Sequence, residues 1–352
     1  MMTTEDIMAL VRPNIRKLCP YSTARDEYEG SLGVFLDANE SPYPTGWNRY
    51  PDPRQKALKE RIAAIKGVKV ENVFLGNGSD EAIDLVFRVF CVPGEDNVVS
   101  ISPSYGMYEV AADINDTALR RVSLREDFSL PVENLLAACD AHTKAIFLCS
   151  PNNPSGNAIP NEVVFDILER FHGIVVVDEA YIDFCSVPSL LPALEKYPNL
   201  LVLQTFSKAR GMAALRLGMA FAQPEIIRIM SMVKYPYNIS EATQRLASEA
   251  LERPIDKEVA EIVAQRIRLT HKFMRFTCIR RIFPSEANFL LVQVDDANAL
   301  YAHLIADGII VRNRTKVPGC RNCLRITVGL PEENDKLLKS LESYEEKSHI
   351  RR

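Results

Sequence analysis

Apolar runs alternate with amphipathic segments through the middle of the chain. In one amphipathic segment, Ile83, Val86, Phe87 and Phe90 recur at the spacing of one helix face. The apolar runs are continuous, which is typical of strands that helices cover on both sides in a parallel or mostly parallel sheet. They lie at residues 73–76, 97–102, 144–150, 173–180, 200–206 and 217–222. The pattern predicts an α/β architecture.

The pattern changes after residue 240. Residues 241–282 carry alternating acids and bases that indicate helices, and the segments at 288–294, 296–308, 309–313 and 323–329 suggest a small α+β domain. The 352 residues exceed the roughly 250–300 that a single hydrophobic core holds. We therefore predict a large α/β domain over 41–240 and a small C-terminal domain over 241–352. An N-terminal arm over 1–40 should pack on the small domain or over the functional site.

The charge balance excludes several classes of partner. The formal net charge is −4 and the pI is about 5.9, so no basic field attracts nucleic acid or an anionic membrane surface. The N-terminus lacks the apolar stretch of a signal peptide, and the apolar runs are shorter than the roughly 20 residues of a membrane span. We expect a cytoplasmic protein that acts on small molecules.

The eight cysteines are scattered, and several lie inside apolar runs. Buried, reduced thiols are the default interpretation and suit the cytoplasm. Only Cys320 and Cys323 form a C-x-x-C pair. Without a second pair or a nearby histidine, they cannot fill a four-ligand zinc site. We expect no metal, and the role of this pair stays open.

Polar residues follow four of the apolar runs at the point where each run ends. One run ends in N-G-S-D-E and leads into a helix, and another ends in P-N-N-P-S-G. Asp178 ends a third run and Lys208 follows a fourth. Open α/β sheets bind ligands outside the carboxyl ends of their strands, and a charge buried there is costly unless it is paired. Asp178 and Lys208 together call for a ligand that binds both.

Pyridoxal phosphate is such a ligand. Its phosphate suits the free N–H groups of the Gly78-Ser79-Asp80 turn at a helix N-terminus. Its pyridine nitrogen needs a carboxylate beside it to stay protonated, and its aldehyde needs a lysine that can be neutral. Asp178 and Lys208 meet these two requirements.

Five motifs are spread over almost the whole chain. They are N-R-Y-P-D-P (48–53), S-P-N-N-P-S-G (150–156), V-V-V-D-E-A-Y (175–181), T-F-S-K-A-R-G-M-A-A-L-R-L-G (205–218) and C-L-R-I-T-V-G (323–329). In this order they resemble the motifs of the fold-type I aminotransferases and, within that group, of the histidinol-phosphate aminotransferases. The resemblance implies the pyridoxal-phosphate-dependent transferase fold type I. This fold has a mostly parallel central sheet between helices in a large domain, and a small α+β C-terminal domain.

The resemblance also implies a role for each matching position. Lys208 would hold the cofactor as a Schiff base and move a proton during the reaction, while Asp178 would pair with the pyridine nitrogen. Asn153 and Tyr181 would hydrogen-bond the phenolic oxygen, and Tyr105 would stack on the ring. Lys208, Asp178 and Tyr181 would form the catalytic group. The cofactor phosphate would be held by Gly78, Ser79, Asp80, Thr205, Ser207 and Arg216, and by Tyr50 from the neighbouring subunit.

On the substrate side, the resemblance implies that Arg325 grips the acidic end of the substrate. Arg312 would assist it, with Arg314 as the competing candidate, and Tyr21 and Asn39 would line the imidazole side. A homodimer with shared active sites is implied as well. The implied reaction is the reversible transamination of L-histidinol phosphate with 2-oxoglutarate, which gives imidazole-acetol phosphate and L-glutamate in histidine biosynthesis.

Three alternatives stay open at this point. An aromatic or broad-range amino-acid aminotransferase and a threonine-phosphate decarboxylase share the fold and similar motifs. Because threonine phosphate also carries a phosphate, the number of arginines does not separate the decarboxylase from the leading hypothesis. A non-enzymatic regulator that senses pyridoxal phosphate would normally carry a basic DNA-binding module, whereas only about 40 residues precede the core here.

Overall fold

The computed structural model describes residues 2–23 and 33–350, and these residues form two sheets. The strands of the larger sheet are β1 (Val73–Asn77), β2 (Asn97–Ser102), β3 (Ala118–Ser123), β4 (Thr143–Cys149), β5 (Ile174–Asp178), β6 (Leu200–Thr205) and β7 (Leu217–Phe221). Those of the smaller sheet are β8 (Ile279–Ile282), β9 (Phe289–Val294), β10 (Arg312–Asn313) and β11 (Cys323–Thr327).

The helices fall between these strands and at both ends of the described chain. They are α1 (Thr4–Leu10), α2 (Pro13–Arg16), α3 (Lys56–Lys66), α4 (Ser79–Phe90), α5 (Met107–Ile114), α6 (Val132–Ala137), α7 (Asn161–Arg170), α8 (Pro224–Val233), α9 (Glu241–Ala250), α10 (Asp256–Phe273), α11 (Ala297–Ala306) and α12 (Pro331–Ile350). Among the described helices, none has the length and apolar character needed to cross a bilayer.

The larger sheet has the strand order β1-β7-β6-β5-β4-β2-β3. The pairs from β3 through β6 are parallel, and β7 runs antiparallel to both of its neighbours, β6 and β1. The smaller sheet is antiparallel, in the order β10-β11-β9-β8. A mostly parallel sheet between helices and a separate small sheet confirm the predicted fold class.

Both faces of the larger sheet are covered, which explains the continuous apolar runs. Along β5, Val175 and Val177 pack into the core on one face, whereas Ile174 and Val176 pack into the core on the other. Alternate residues of a strand point to opposite faces, so a strand needs apolar residues at every position when both faces are buried. The small sheet has a core of its own with α10, α11 and α12.

Two strands were not predicted. β3 lies at the edge of the large sheet and exposes most of its residues, so its sequence ALRRVS has no apolar run. β8, with the sequence IRRI, lies within 241–282, which the charge pattern had indicated as helical. That prediction is wrong for residues 279–282, although α9 and α10 occupy most of the segment. Edge strands carry the weakest apolar signal because one side of the ladder faces solvent.

The first residues of the arm lie elsewhere than predicted. Met2, Ile7 and Val11 are buried in the core that α4 and α8 form on the large sheet, and the Arg12 N–H donates to the Val89 carbonyl at 2.9 Å. Residues 2–16 therefore pack on the large domain rather than on the small one. The domain limits near residues 41 and 240 stay predictions.

Candidate active site

A cavity of about 960 Å³ lies where the large sheet faces the edge of the small sheet. Because β2, β4, β5 and β6 are parallel, their carboxyl ends meet at one edge, and the loops that follow them supply one wall. The loop after β10 and the strand β11 supply the opposite wall. The cavity brings together seven of the predicted site residues: Tyr105, Asn153, Asp178, Tyr181, Lys208, Arg312 and Arg325.

Two donors fix the carboxylate of Asp178. The Tyr108 hydroxyl donates to Oδ2 at 2.8 Å, and the Ala180 N–H donates to Oδ1 at 3.1 Å. Asp178 is only 3% exposed, and burial raises its pKa to about 6. The two hydrogen bonds and the nearby Lys208 act in the opposite direction, because they stabilise the charged form. The wall therefore holds a carboxylate that is costly to ionise until a cation arrives beside it.

Asn153, Tyr181 and Arg325 form a chain across the cavity. The side-chain amide of Asn153 donates to the Tyr181 hydroxyl at 3.5 Å, and Asn153 Oδ1 accepts from Arg325. Burial raises the pKa of Tyr181, so its hydroxyl stays neutral. Asn153 follows β4, Tyr181 follows β5 and Arg325 lies on β11. These hydrogen bonds therefore link the large-domain wall to the small-sheet wall.

Lys208 projects from the loop after β6. Its Nζ lies 5.7 Å from the ring centre of Tyr181. Burial, and after it the positive charge of Arg325, lowers the pKa of the Lys208 amine, while Asp178 opposes the shift. A lowered pKa increases the neutral fraction of the amine, which is the form that acts as a nucleophile or a base.

The N-terminus of α4 and the turn before β7 enclose a small polar cradle. Gly78 precedes α4 with φ at 73° and provides no side-chain cap, so the first N–H groups of the helix stay available to an anion. A Cβ on Gly78 would lie 2.6 Å from Nη2 of Arg216, and a Cβ on Gly218 would collide with the backbone nitrogen of Ser79. Gly78 therefore leaves room for the Arg216 guanidinium, and Gly218 lets β7 approach the start of α4 closely.

Hydroxyl groups and one carboxylate complete this cradle. The Thr205 hydroxyl donates to the Ser207 hydroxyl at 3.0 Å, and the Ser207 N–H donates to Thr205 Oγ1 at 3.1 Å. The Tyr105 hydroxyl donates to Asp80 Oδ1 at 3.0 Å, and Asp80 Oδ2 lies 3.7 Å from Nη2 of Arg216. Asp80 thus connects the cradle with Tyr105 on the cavity wall.

The small-sheet wall carries a cluster of arginines. Arg312 and Arg325 are register partners on β10 and β11, so their side chains leave the same face of the sheet. Arg314 also lines the cavity. The Nε atoms of Arg314 and Arg325 are buried and have no hydrogen-bond partner. Burial and then the charge of a neighbouring arginine lower the pKa of each. Within the described residues, no ion pair joins this cluster to a carboxylate.

Three predicted residues lie away from the cavity of their own chain. Tyr50 is 51% exposed and stacks on Tyr237 with ring centres 4.4 Å apart. Tyr21 is exposed, and Asn39 is exposed with φ at 55°. None of the three lines the cavity.

Tyr108 was not predicted. It is 1% exposed, and its ring packs on Phe147 with centres 5.1 Å apart. The sequence Y-G-M-Y places Tyr108 three residues after Tyr105, on the same side of the start of α5, which was an available signal. Its partner Asp178 lies 70 residues further along the chain, so the contact itself has no local signature.

The geometry fits pyridoxal phosphate. The cradle offers helix N–H groups, hydroxyls and a guanidinium to a phosphate, and side chains at residues 78 and 218 would collide with its walls. Asp178 offers a buried carboxylate to a cationic ring nitrogen, and Asn153 and Tyr181 offer neutral donors to a phenolic oxygen. Lys208 lies on the same cavity wall as Asp178.

Comparisons with known proteins agree with this geometry. The family described as aminotransferase class I and II matches residues 36–341. A histidinol-phosphate aminotransferase of Parabacteroides distasonis is 54% identical over 96% of this chain and 99% of its own. The crystal structure of the Clostridium acetobutylicum histidinol-phosphate aminotransferase has a TM-score of 0.79 at 24% identity, covering 86% of this chain and 92% of that one. The Sinorhizobium meliloti histidinol-phosphate aminotransferase in complex with pyridoxal-5'-phosphate has a TM-score of 0.76 at 24% identity, covering 87% and 90%.

The motifs therefore predicted the family correctly, since one relative matches along nearly its full length and the family match covers most of the chain. This chain belongs to the histidinol-phosphate aminotransferase family, within the pyridoxal-phosphate-dependent class I and II aminotransferases.

Proposed function

We propose that this chain binds pyridoxal 5′-phosphate and catalyses the reversible transfer of the amino group of L-histidinol phosphate to 2-oxoglutarate. The products would be imidazole-acetol phosphate and L-glutamate. The observation that carries the proposal is the arginine cluster, which faces Lys208 across the cavity and includes two buried Nε atoms without a partner.

The cofactor would be held mainly by the large-domain wall. The α4 N-terminus from Gly78 to Asp80, with Thr205, Ser207 and Arg216, would receive its phosphate, and Tyr105 would stack on its ring. Asp178 would accept a hydrogen bond from the protonated pyridine nitrogen, and Asn153 and Tyr181 would donate to the phenolic oxygen. Bound in this way, the cofactor supplies an electron sink that stabilises negative charge at the α carbon of the substrate.

Lys208 would carry the proton. Its lowered pKa favours a neutral amine, which would take a proton from the substrate α carbon and deliver it to C4′ of the cofactor. Tyr181 lies beneath the lysine chain with a neutral hydroxyl, so it would orient without competing for the proton. Asp178, ionised by the cation beside it, would keep the ring nitrogen protonated during this step.

The arginine cluster would bind the acidic end of the substrate. Three guanidinium groups close together repel one another, and burial adds to the cost of their charge. A phosphate dianion removes both costs, because it offers several acceptors to the unpaired N–H groups. Arg325 and Arg314 carry buried unpaired Nε atoms, so we propose that these two bind the phosphate and that Arg312 acts from the outer side.

We propose that the active enzyme is a homodimer in the cytoplasm. Tyr50 of each chain would reach the cofactor phosphate of the other, and Tyr21 and Asn39 would border the imidazole side of the substrate. Large side chains near Tyr50 are exposed in the single chain, which supports a second chain covering them: Tyr43, Trp47 and Tyr235. The eight cysteines are all free thiols, in keeping with a reducing compartment.

The test is a single-turnover assay with four amino donors: histidinol phosphate, histidine, phenylalanine and threonine phosphate. The keto product of each would be quantified by mass spectrometry, followed by glutamate formation after addition of 2-oxoglutarate. Conversion of histidinol phosphate far ahead of the other three is expected. Equal use of phenylalanine would instead favour a broad-range aminotransferase. Carbon dioxide release from threonine phosphate would favour the decarboxylase, and histidinol phosphate cannot react in that way because it has no carboxylate.

A further inference from the structure

Tyr108 is buried directly behind the carboxylate that the proposed function assigns to the pyridine nitrogen. Its hydroxyl donates to Asp178 Oδ2 at 2.8 Å, and its ring is held between Phe147, at 5.1 Å, and the edge of Tyr105, at 5.7 Å. The hydroxyl therefore has little freedom to leave Asp178. Through this contact Tyr108 influences the charge state of Asp178 in addition to packing in the core.

We propose that Tyr108 is a positioning residue that keeps the proton of the cofactor ring on the pyridine nitrogen rather than on Asp178. This inference rests on the proposed contact between Asp178 and that nitrogen. Tyr108 would act through Asp178 by stabilising its charged form.

One proton can lie either on the pyridine nitrogen or on the Asp178 carboxylate. The nitrogen and the carboxylate compete for this proton, and the more basic of the two holds it. Burial makes Asp178 more basic, whereas the Tyr108 hydrogen bond makes it less basic. Loss of a hydrogen bond to a charged group should raise the proton affinity of Asp178 about ten- to a hundredfold. The proton would then shift from the nitrogen to the carboxylate, and the ring would become a weaker electron sink.

Among the groups around Asp178, Tyr108 is the one suited to stabilise its charged form. Besides Tyr108, the groups that interact with the carboxylate are the Ala180 N–H, Lys208, Asp80, the Cys149 thiol and the hydroxyls of Tyr105 and Tyr181. The Tyr105 hydroxyl donates to Asp80 and the Tyr181 hydroxyl accepts from Asn153 instead. The Ala180 N–H is part of the backbone, Lys208 is needed for chemistry, and Asp80 makes Asp178 more basic. Tyr108 is thus the side chain by which this family member can lower the basicity of Asp178 without entering the reaction.

The experiment measures the ¹⁵N chemical shift of the ring nitrogen in holoenzyme loaded with cofactor labelled at that position. Wild type should give the shift of a protonated pyridine, and Tyr108→Phe a shift towards the unprotonated value. The matched control is Tyr197→Phe, which removes a buried hydroxyl that donates to Glu169 at 2.9 Å on the far side of the domain. This control should keep the wild-type shift. In steady-state assays, kcat of Tyr108→Phe should fall about tenfold or more, with KM for histidinol phosphate little changed.

The Asp178→Asn variant distinguishes a wrong role for Tyr108 from a wrong assignment of Asp178. If Asp178→Asn leaves the ¹⁵N shift unchanged, the assignment of Asp178 is wrong. If Asp178→Asn moves the shift but Tyr108→Phe does not, only the role of Tyr108 is wrong. In the Asp178→Asn background, Tyr108→Phe should have no further effect on the shift, because Tyr108 acts through that carboxylate.

A second variant covers the case in which Tyr108→Phe does not fold. Site-specific fluorotyrosine at position 108 keeps the shape of the side chain and makes the phenol a stronger donor. The ring nitrogen should therefore keep its protonated ¹⁵N shift to a higher pH than in wild type. A protonated range that ends at the same pH as in wild type, or at a lower one, would overturn the proposal.

Discussion

The two walls of the cavity differ in whether their polar side chains have hydrogen-bond partners. On the large-domain wall, the carboxylate and the amide have partners: Asp178 has Tyr108 and the Ala180 N–H, and Asn153 has Tyr181. On the small-domain wall, Arg314 and Arg325 keep buried Nε atoms without a partner. One wall is organised before any ligand binds, whereas the other is completed by an anion.

This difference matches what each wall would bind. A resident cofactor favours a site whose geometry is fixed in advance, because preorganised dipoles need no rearrangement during the reaction. A substrate must enter and leave in each cycle, so its affinity can come from charges that are costly only while it is absent. Asn153 joins the two walls through its hydrogen bond with Arg325. Substrate binding at Arg325 would therefore change the hydrogen bonds on the phenolic side of the cofactor.

The largest expected effect is on the organised wall. Lys208→Ala should lower turnover roughly a thousandfold or more, because this variant would lose both the proposed covalent anchor and the proposed proton carrier. The measurement is single-turnover product formation from histidinol phosphate. Borohydride reduction followed by peptide mapping should place the cofactor on Lys208 in wild type. Lys339→Ala, on the exposed side of α12, is the matched control and should behave as wild type. Labelling at any other lysine would remove Lys208 from the mechanism.

Local signals in the sequence were enough to find this wall. Asp178 and Lys208 are charged residues at the ends of apolar runs, and such positions stand out without any knowledge of the fold. The contact between Tyr108 and Asp178 could not be predicted, since it depends on the spatial order of β2, β4 and β5. Likewise, sequence spacing alone did not choose between Arg312 and Arg314. That choice depends on burial of individual nitrogen atoms, which the register of β10 and β11 determines.

The second prediction concerns the stability of the organised wall without cofactor. Burial raises the pKa of Asp178 from 3.8 to about 6, so keeping it charged costs the folded apoprotein about 3 kcal/mol above pH 6. The folded state binds the proton more tightly than the unfolded one, so this part of stability is present below about pH 4 and is lost as pH rises to about 6. Apo Asp178→Asn should therefore unfold about 4 °C higher than wild type at pH 7.5.

Thermal unfolding of the apoproteins at pH 4 and pH 7.5 tests this prediction. The gap between Asp178→Asn and wild type should close at pH 4, and Asp113→Asn, an exposed aspartate of α5, should show no gap at either pH. With cofactor bound, the order at pH 7.5 should reverse, because the ring cation then offsets the charge of wild-type Asp178. A variant that is less stable than wild type as apoprotein at pH 7.5 would mean that Asp178 is not strained by burial.

The third prediction concerns the incomplete wall. Arg325→Gln and Arg314→Gln should each raise KM for histidinol phosphate about ten- to a hundredfold, which corresponds to roughly 1.5–3 kcal/mol for a hydrogen bond to a charged group. Histidinol without its phosphate should be used poorly by wild type and be little affected by either variant. Arg321→Gln, an exposed arginine of the same domain, is the control. If Arg314→Gln matches this control while Arg312→Gln does not, the phosphate is bound by Arg312 and Arg325 instead.

The smallest expected effect lies at a residue that belongs to neither wall of its own chain. Tyr50 is half exposed. The Glu40 carboxylate accepts from the Tyr50 N–H at 2.7 Å and from the Arg49 guanidinium at 2.6 Å. These contacts fix the backbone of the segment, and the Tyr50 side chain stays half exposed beside Tyr237. In a two-fold dimer the same patch is used twice, so the Tyr50 hydroxyl can serve the other chain's cofactor phosphate. Tyr50→Phe should weaken cofactor binding roughly tenfold, the low end for one bond to an anion.

Complementation decides which chain Tyr50 serves. A mixture of Lys208→Ala and Tyr50→Phe chains forms heterodimers in which, if Tyr50 acts across the interface, one site lacks both groups and the other has both. Such mixtures should bind cofactor at the intact site as tightly as wild type does, whereas Tyr50→Phe alone does not. If Tyr50 acted within its own chain, every heterodimer site would lack one group and no tight site would form. Native mass spectrometry of differently tagged chains would verify the exchange, so the absence of a tight site would then confine Tyr50 to its own subunit and leave both walls to a single chain.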